Sequence, residues 1–116
     1  MTNEITFRRG DVVISVFSGD YGKPRPALVV QSDLFNETHS SVVVCPISSE
    51  LTGLSIFRIH VPASESNGLR GDSEVMIDKM GAIARRRIGR RVGRVSGAQL
   101  NLVSQALRIW LELPAE

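Results

Sequence analysis

Three short valine-rich runs in the first half of the chain are the strongest constraint on its fold. They occupy residues 11–17 (DVVISVF), 25–31 (RPALVVQ) and 41–47 (SVVVCPI), and none alternates cleanly between polar and apolar side chains. Such runs are typical of mostly buried strands. Parallel strands need a helix-length crossover between them, and no such segment separates these runs. They therefore predict a sheet that is not of the parallel α/β kind.

Two further strands and an extended ribbon are predicted in the second half. Residues 56–61 (IFRIHV) alternate between apolar and charged side chains, which is the pattern of a strand with one solvent-exposed face. Residues 73–79 (SEVMIDK) are a fifth candidate strand. The arginine-rich stretch 82–95 shows no sustained helical stripe, so it predicts extended or irregular ribbon.

One amphipathic helix is predicted over about residues 97–111. Ser96 and Gln99 have the spacing of a capping box, and Val95 and Leu100 stand where a hydrophobic staple closes the first turn. Its apolar face combines residues three and four apart, namely Leu100, Val103, Leu107, Trp110 and Leu111. The predicted fold is mainly β with a C-terminal helix, a small curled sheet or partial barrel, in a single domain over residues 1–116.

Arginine dominates the basic side chains. Of 14 lysines and arginines, only Lys23 and Lys79 are lysines, while the net charge is +2. The guanidinium fork fits phosphate, so this usage favours an anionic partner. A dense cluster comprises Arg85, Arg86, Arg87, Arg90, Arg91 and Arg94. A nucleic acid, an acidic protein and a merely solvated face are all compatible with it.

Several classes of protein are excluded or disfavoured. No apolar run approaches the roughly eighteen residues that span a bilayer, and the N-terminal residues lack a secretory signal pattern. The single Cys45 lies among valines, where an inert buried thiol is expected, and its isolation fits a cytoplasmic protein. His39 and His60 have no paired ligand spacing, so neither a metal site nor a cofactor is expected.

Four segments, in this order, resemble the MazF/PemK-like toxin family. They are residues 9–13 (RGDVV), 22–30 (GKPRPALVV), 42–49 (VVVCPISS) and 75–78 (VMID), with Asn36 between the second and third. The resemblance implies the SH3-like barrel of the CcdB/MazF toxin fold. It also implies a homodimeric endoribonuclease toxin of a type II toxin–antitoxin system.

The resemblance assigns the candidate site as well. The family's arginine in its Arg-Pro dipeptide falls on Arg25, and its threonine or serine after the third strand falls on Ser48; these are the predicted catalytic residues. The predicted RNA-binding residues are Ser49, Asp78, Lys23, Tyr21, Phe57 and Arg87. Core packing is the alternative role for Phe57, and an ion pair with Asp20 is the alternative for Arg25.

The implied reaction is metal-independent cleavage of single-stranded RNA. The ribose 2′-hydroxyl attacks the phosphate, leaving a 2′,3′-cyclic phosphate and a 5′-hydroxyl. Arg25 and the Ser48 hydroxyl would stabilise the charge that develops on phosphorus-bound oxygens. Because a guanidinium is a poor base, Asp78 or His60 is the candidate proton acceptor.

The implied partners are a second copy of the chain, single-stranded RNA and a cognate antitoxin. The antitoxin would be an acidic, partly disordered protein of the MazE/PemI type. The toxin would contact DNA only indirectly, through this antitoxin. No membrane partner is expected. Two rival functions stay open. One is a gyrase-binding toxin like CcdB, although residues 110–116 do not resemble the C-terminal tail of CcdB. The other is a non-catalytic RNA-binding regulator.

Overall fold

The computed structural model describes residues 6–17, 22–54 and 56–114. Within those ranges the chain forms a seven-stranded antiparallel sheet and two α-helices. The strands are β1 (Asp11–Val16), β2 (Pro24–Val29), β3 (Ser41–Ser48), β4 (Arg58–Val61), β5 (Ser73–Met76), β6 (Gly81–Ala84) and β7 (Ile88–Arg94). The helices are α1 (Asp33–Asn36) and α2 (Gly97–Trp110), and 3₁₀ turns occupy Ile77–Lys79 and Arg85–Arg87.

Strand β3 lies at the centre of the sheet, whose order is β4-β5-β3-β2-β1-β7. One edge of β3 pairs with β2. The other edge pairs with β6 along the first half of β3 and with β5 at its end. Ser48 lies opposite Glu74, whereas Val44 lies opposite Gly81. The register therefore shifts by three residues, the length of the turn Ile77–Lys79 between β5 and β6.

Both faces of the sheet are buried, which explains why the valine-rich runs lack polar alternation. Val12 and Val13 are adjacent in β1 but belong to different apolar clusters, because successive strand residues point to opposite faces. The cluster beneath α2 includes Val12, Leu28, Cys45, Ile47, Val103 and Ala106. The cluster on the other face includes Phe7, Val13, Ala27, Val29, Val44 and Ile88. Burial raises the pKa of the Cys45 thiol to about 12, in keeping with the predicted inert cysteine.

The loop 62–72, which leaves β4, lies against β7 at the far end of the sheet order. The backbone N–H of Arg94 donates to the carbonyl of Ser66 at 2.8 Å. Among the described residues β4 and β7 share no strand pairing, so the sheet is curled but not closed. The predicted mainly β fold with a C-terminal helix is confirmed, and its barrel is partial because a loop bridges the edges.

Helix α2 begins as predicted. The Ser96 side chain accepts from the Gln99 backbone N–H at 3.1 Å, and the Gln99 side chain accepts from the Ser96 backbone N–H at 3.2 Å. The buried face runs through Val103 and Ala106. Trp110 is still 48% exposed, so the predicted apolar face extends beyond what this chain covers. No helix in the described ranges is long and apolar enough to cross a membrane.

Three details differ from the sequence prediction. The one-turn helix α1 was not predicted, because four residues are too few for a periodic pattern. The candidate strand 73–79 ends at Met76, where the 3₁₀ turn begins. The ribbon 82–95 consists of two strands, β6 and β7, separated by the turn Arg85–Arg87.

Candidate functional site

A groove of about 870 Å³ opens at the carboxyl end of β3. The start of β2, the end of β3, the loop around residues 68–71 and part of β7 line it. This volume lies within the range typical of ligand sites. The groove therefore offers space for a ligand at the junction of several elements.

Arg25 and Ser48 both line this groove. In the antiparallel pairing of β2 with β3, Ala27 lies opposite Pro46. Extending this register by two residues places Arg25 across from Ser48. The Ser48 hydroxyl oxygen accepts from the backbone N–H of Glu50 at 3.0 Å, which fixes the oxygen and leaves its proton available for donation. A guanidinium and a hydroxyl donor thus face the same space.

The predicted RNA-binding residue Ser49 also lines the groove, where it is exposed. The lining further includes Arg90 of the arginine cluster and four residues that the sequence did not assign to the site, namely Phe17, Glu50, Arg70 and Lys79. The Asn67-Gly68 dipeptide is a turn signal from which a loop before Arg70 could have been predicted. Nothing local showed that this loop reaches the groove, because its position depends on contacts with β7.

Asp78 lies outside the groove lining and forms a bidentate ion pair with Arg58. Arg58 Nε donates to Asp78 Oδ1 at 2.8 Å, and Nη2 donates to Oδ2 at 3.1 Å. These hydrogen bonds lower the pKa of Asp78 and raise that of Arg58. The structure therefore holds Asp78 as an ionised partner of a guanidinium on β4.

Other predicted residues also lie away from the groove. Phe57 packs against the cluster beneath α2, with its ring centroid 5.7 Å from that of Trp110. His60 is exposed on β4, opposite Glu74. Lys23 is exposed just before β2, and Arg87 is exposed in the turn Arg85–Arg87; neither lines the groove. Tyr21 and Asp20 lie outside the described residues.

The arginine cluster divides into two groups. The buried carboxylate of Asp11 accepts from Arg91 Nε and from Arg94 Nη1, both at 3.0 Å. Arg85 donates to the carbonyls of Asn36 and His39. The remaining members are exposed and form no side-chain ion pair or hydrogen bond within the part of the chain that the structure describes: Arg86, Arg87 and Arg90. Of the whole cluster, Arg90 is the member that lines the groove.

Buried Glu74 holds the loop that follows Ser48. Its carboxylate accepts from the backbone N–H of Thr52 at 2.9 Å, from the Thr52 hydroxyl at 2.8 Å and from the backbone N–H of Gly53 at 2.9 Å. The bond from Gly53 contributes most to lowering the pKa of Glu74. An ionised Glu74 therefore anchors the loop that carries Ser49 and Glu50.

The curled sheet with its C-terminal helix places the chain among small β-sheet toxins of known structure. The Mycobacterium tuberculosis toxin MazF-mt6 superimposes with a TM-score of 0.75 at 25% identity, covering 90% of this chain and 98% of that one. The MazE–MazF structure from Deinococcus radiodurans has a TM-score of 0.80 at 24% identity, over 95% of this chain and 100% of that one. At that identity, the second likeness shows the fold alone.

Sequence similarity narrows this class to a family. The profile of the PemK-like, MazF-like toxins of type II toxin–antitoxin systems matches residues 8–111. A protein of Mycolicibacterium smegmatis named probable endoribonuclease MazF is 36% identical over 105 residues, or 90% of this chain and 95% of that protein. The chain belongs to the PemK-like, MazF-like toxin family, and the resemblance found in its motifs is confirmed.

Proposed function

We propose that this toxin is an endoribonuclease that cleaves single-stranded RNA selectively and so inhibits translation and growth. The observation that carries the proposal is the juxtaposition of Arg25 and Ser48 in one groove. Family membership supports it, because a relative that spans nearly the same length is named an endoribonuclease. The groove also carries Lys79, Arg70 and Arg90, whose charges suit a polyanion.

In the proposed reaction the ribose 2′-oxygen forms a bond to phosphorus and the bond from phosphorus to the 5′-oxygen breaks. The products are a 2′,3′-cyclic phosphate and a 5′-hydroxyl, and no metal takes part. Negative charge grows on the non-bridging oxygens, where the Arg25 guanidinium and the Ser48 hydroxyl donate hydrogen bonds. These two residues are the proposed catalytic pair.

Proton transfer needs an acceptor for the 2′-hydroxyl proton and a donor for the 5′-oxygen. Asp78 and His60 do not line the groove, and Asp78 is occupied by Arg58. Among the described residues Glu50 supplies the carboxylate in the groove lining, and it follows Ser48 by two residues. We therefore assign Glu50 as the general base, in place of the two candidates that the sequence suggested, and the departing 5′-oxygen takes its proton from solvent water.

The same proposal includes two protein partners. Exposed apolar side chains at the end of α2 and in the loop before β4 support a homodimer: Leu54, Ile56, Ile109, Trp110 and Leu113. An acidic, partly disordered antitoxin would inhibit by occupying the cationic groove, and DNA would be contacted only through that antitoxin. The proposed location is the cytoplasm. Roles in RNA binding for Lys23, Tyr21, Phe57, Asp78 and Arg87 stay predictions.

The function is tested by incubating the purified protein with mixed-sequence single-stranded RNA in excess EDTA and mapping the fragment ends. We expect discrete cuts with 5′-hydroxyl and 2′,3′-cyclic phosphate ends. RNA that is bound but never shortened would contradict the nuclease and support a non-catalytic regulator. Inhibition of gyrase supercoiling without RNA cleavage would instead support a toxin like CcdB.

A further inference from the structure

Two glycines bring the loop 62–72 into direct backbone contact with β7. A Cβ atom on Gly68 would lie 2.3 Å from the carbonyl oxygen of Val92, and Gly68 has a φ of +71°. A Cβ atom on Gly93 would lie 2.3 Å from the carbonyl carbon of Asn67. No side chain fits at either position without moving backbone, so this glycine seam fixes the loop at the wall of the groove.

Asn67 makes the loop rigid from within. It is buried, and its Oδ1 accepts from the backbone N–H groups of Ser64 and Leu69, both at 3.0 Å. Its Nδ2 donates to the carbonyl of Pro62 at 2.9 Å. Arg70 follows three residues later, after the half-buried Leu69 that packs against the cluster beneath α2. The loop therefore presents Arg70 from an ordered frame.

Arg70 and Arg90 both line the groove beside this seam. Both are exposed, and within the described ranges neither side chain has an ion-pair or hydrogen-bond partner. This contrasts with Arg91, which is next to Arg90 in β7 but donates to the buried Asp11. A rigid frame that directs two unneutralised guanidinium groups into one groove creates a site for an anion.

We propose that Arg70 and Arg90 clamp a phosphate of the RNA backbone next to the scissile phosphate held by Arg25 and Ser48. That the ligand is RNA follows from the proposed function. That an anion site exists is inferred independently, from the backbone contacts of Gly68 and Gly93 and from the two arginines that line the groove. A guanidinium matches the geometry of a phosphodiester through paired N–H donors. The clamp holds the backbone without reading the bases, so it positions the substrate and takes no part in bond breaking.

The clamp is tested with Arg70→Ala and Arg90→Ala, with Arg86→Ala as the matched control. Arg86 is also exposed and unpaired among the described residues, but it lies outside the groove. Binding of a single-stranded RNA made uncleavable by 2′-O-methylation is measured by fluorescence anisotropy at several salt concentrations. Each clamp variant is expected to weaken binding roughly fivefold to tenfold and to flatten the salt dependence by about 0.7 in the log–log slope.

Cleavage kinetics separate positioning from chemistry. We expect Arg70→Ala and Arg90→Ala to raise KM roughly fivefold to tenfold with little change in kcat, and lysine at either position to restore part of the loss. Arg86→Ala should behave as the wild type in both assays. Thermal melting of every variant confirms that the differences do not come from unfolding.

Two outcomes would overturn the clamp. The first is that the salt dependence of binding is unchanged in both Arg70→Ala and Arg90→Ala. The second is that Arg86→Ala reduces the salt dependence equally, which would indicate a diffuse positive field rather than a site. Because the binding probe cannot be cleaved, the binding result stands apart from catalysis. A wild-type protein that binds the probe with the expected slopes but cuts no RNA would refute the nuclease and leave the clamp supported.

Discussion

Arg90 and Arg91 are neighbours in one strand, yet their contacts give them different tasks. Arg91 donates to the buried Asp11, so it stabilises the fold, whereas Arg90 faces the groove. The sequence showed the density of arginines but not this division, because Asp11 lies 80 residues away along the chain. The motifs also singled out Arg25 and Ser48, and the register of β2 with β3 brings both to the groove, while their catalytic role stays a prediction.

Replacing Glu50 by glutamine tests the assigned general base. The amide keeps the size of the side chain but cannot accept the 2′-hydroxyl proton, so we expect kcat to fall by about 10²-fold or more. Glu65→Gln is the matched control and should keep the wild-type kcat, since Glu65 is exposed and lies outside the groove lining. A folded Glu50→Gln enzyme with the wild-type kcat would contradict the assignment.

Acid should loosen the fold through Glu74 in particular. Its folded pKa lies below the ordinary value of 4.5, so its ionised form stabilises the native state at neutral pH. This contribution is fully present above that ordinary value and is lost as pH falls through it toward the lowered folded pKa. Urea denaturation between pH 7 and pH 3 should therefore show a smaller loss of stability in Glu74→Gln than in the wild type.

The control for this measurement is Glu65→Gln, because Glu65 is exposed. Its stability should follow the wild-type pH dependence. Identical pH dependence in Glu74→Gln and the wild type would show that Glu74 contributes nothing through its ionisation.

At the scale of elements, local signals predicted more than non-local ones. The capping box at Ser96 located the start of α2 to the residue, because both hydrogen bonds lie within one turn. The seam between Gly68 and Gly93 left no such signature, since it joins segments that are distant in sequence. For the same reason the groove position of Arg70 was not predictable, although the turn before it was.

The seam makes Gly93 sensitive to a single methyl group. Gly93→Ala should destabilise the protein by about 3 kcal/mol, because the added carbon meets backbone atoms that cannot move independently. Gly97→Ala is the control: nothing lies within 4 Å of a Cβ there, and alanine at the start of α2 should be neutral or slightly stabilising. Chemical denaturation measures both, and equal stabilities would contradict the tight contact.

At the scale of the whole molecule, the order of patterns predicted a mainly β fold with a terminal helix. It predicted this because short valine-rich runs are typical of buried strands, and because the apolar residues of the helix recur three and four apart. The curled sheet was predicted as well, but the way in which the loop 62–72 bridges β4 and β7 was not, because it depends on contacts between segments that are distant in sequence. The apolar face of α2 also continues to Trp110, which is 48% exposed, and together with the neighbouring exposed Ile109 this leaves an apolar surface that the described residues do not cover.

That surface predicts self-association. We expect light scattering to give twice the mass of one chain at micromolar concentrations, because exposed apolar side chains of this size favour burial. Ile109→Glu, which adds a charge to the surface, should shift the population toward the single chain. Arg108→Gln at the adjacent helix position is the charge-matched comparison, because it also makes the net charge more negative by one unit and should leave the association unchanged. A wild-type protein that stays monomeric at tens of micromolar would contradict the dimer.

The central claim is that RNA is cut in the groove by Arg25, and its direct test is the single-turnover cleavage rate of Arg25→Ala. Removing the guanidinium should lower the rate by at least about 10²-fold, because a principal donor to the developing charge is lost. Arg25 is exposed near the start of β2, and thermal melting of the variant checks that a lower rate does not come from unfolding. A folded Arg25→Ala protein that cuts RNA at close to the wild-type rate would contradict the account.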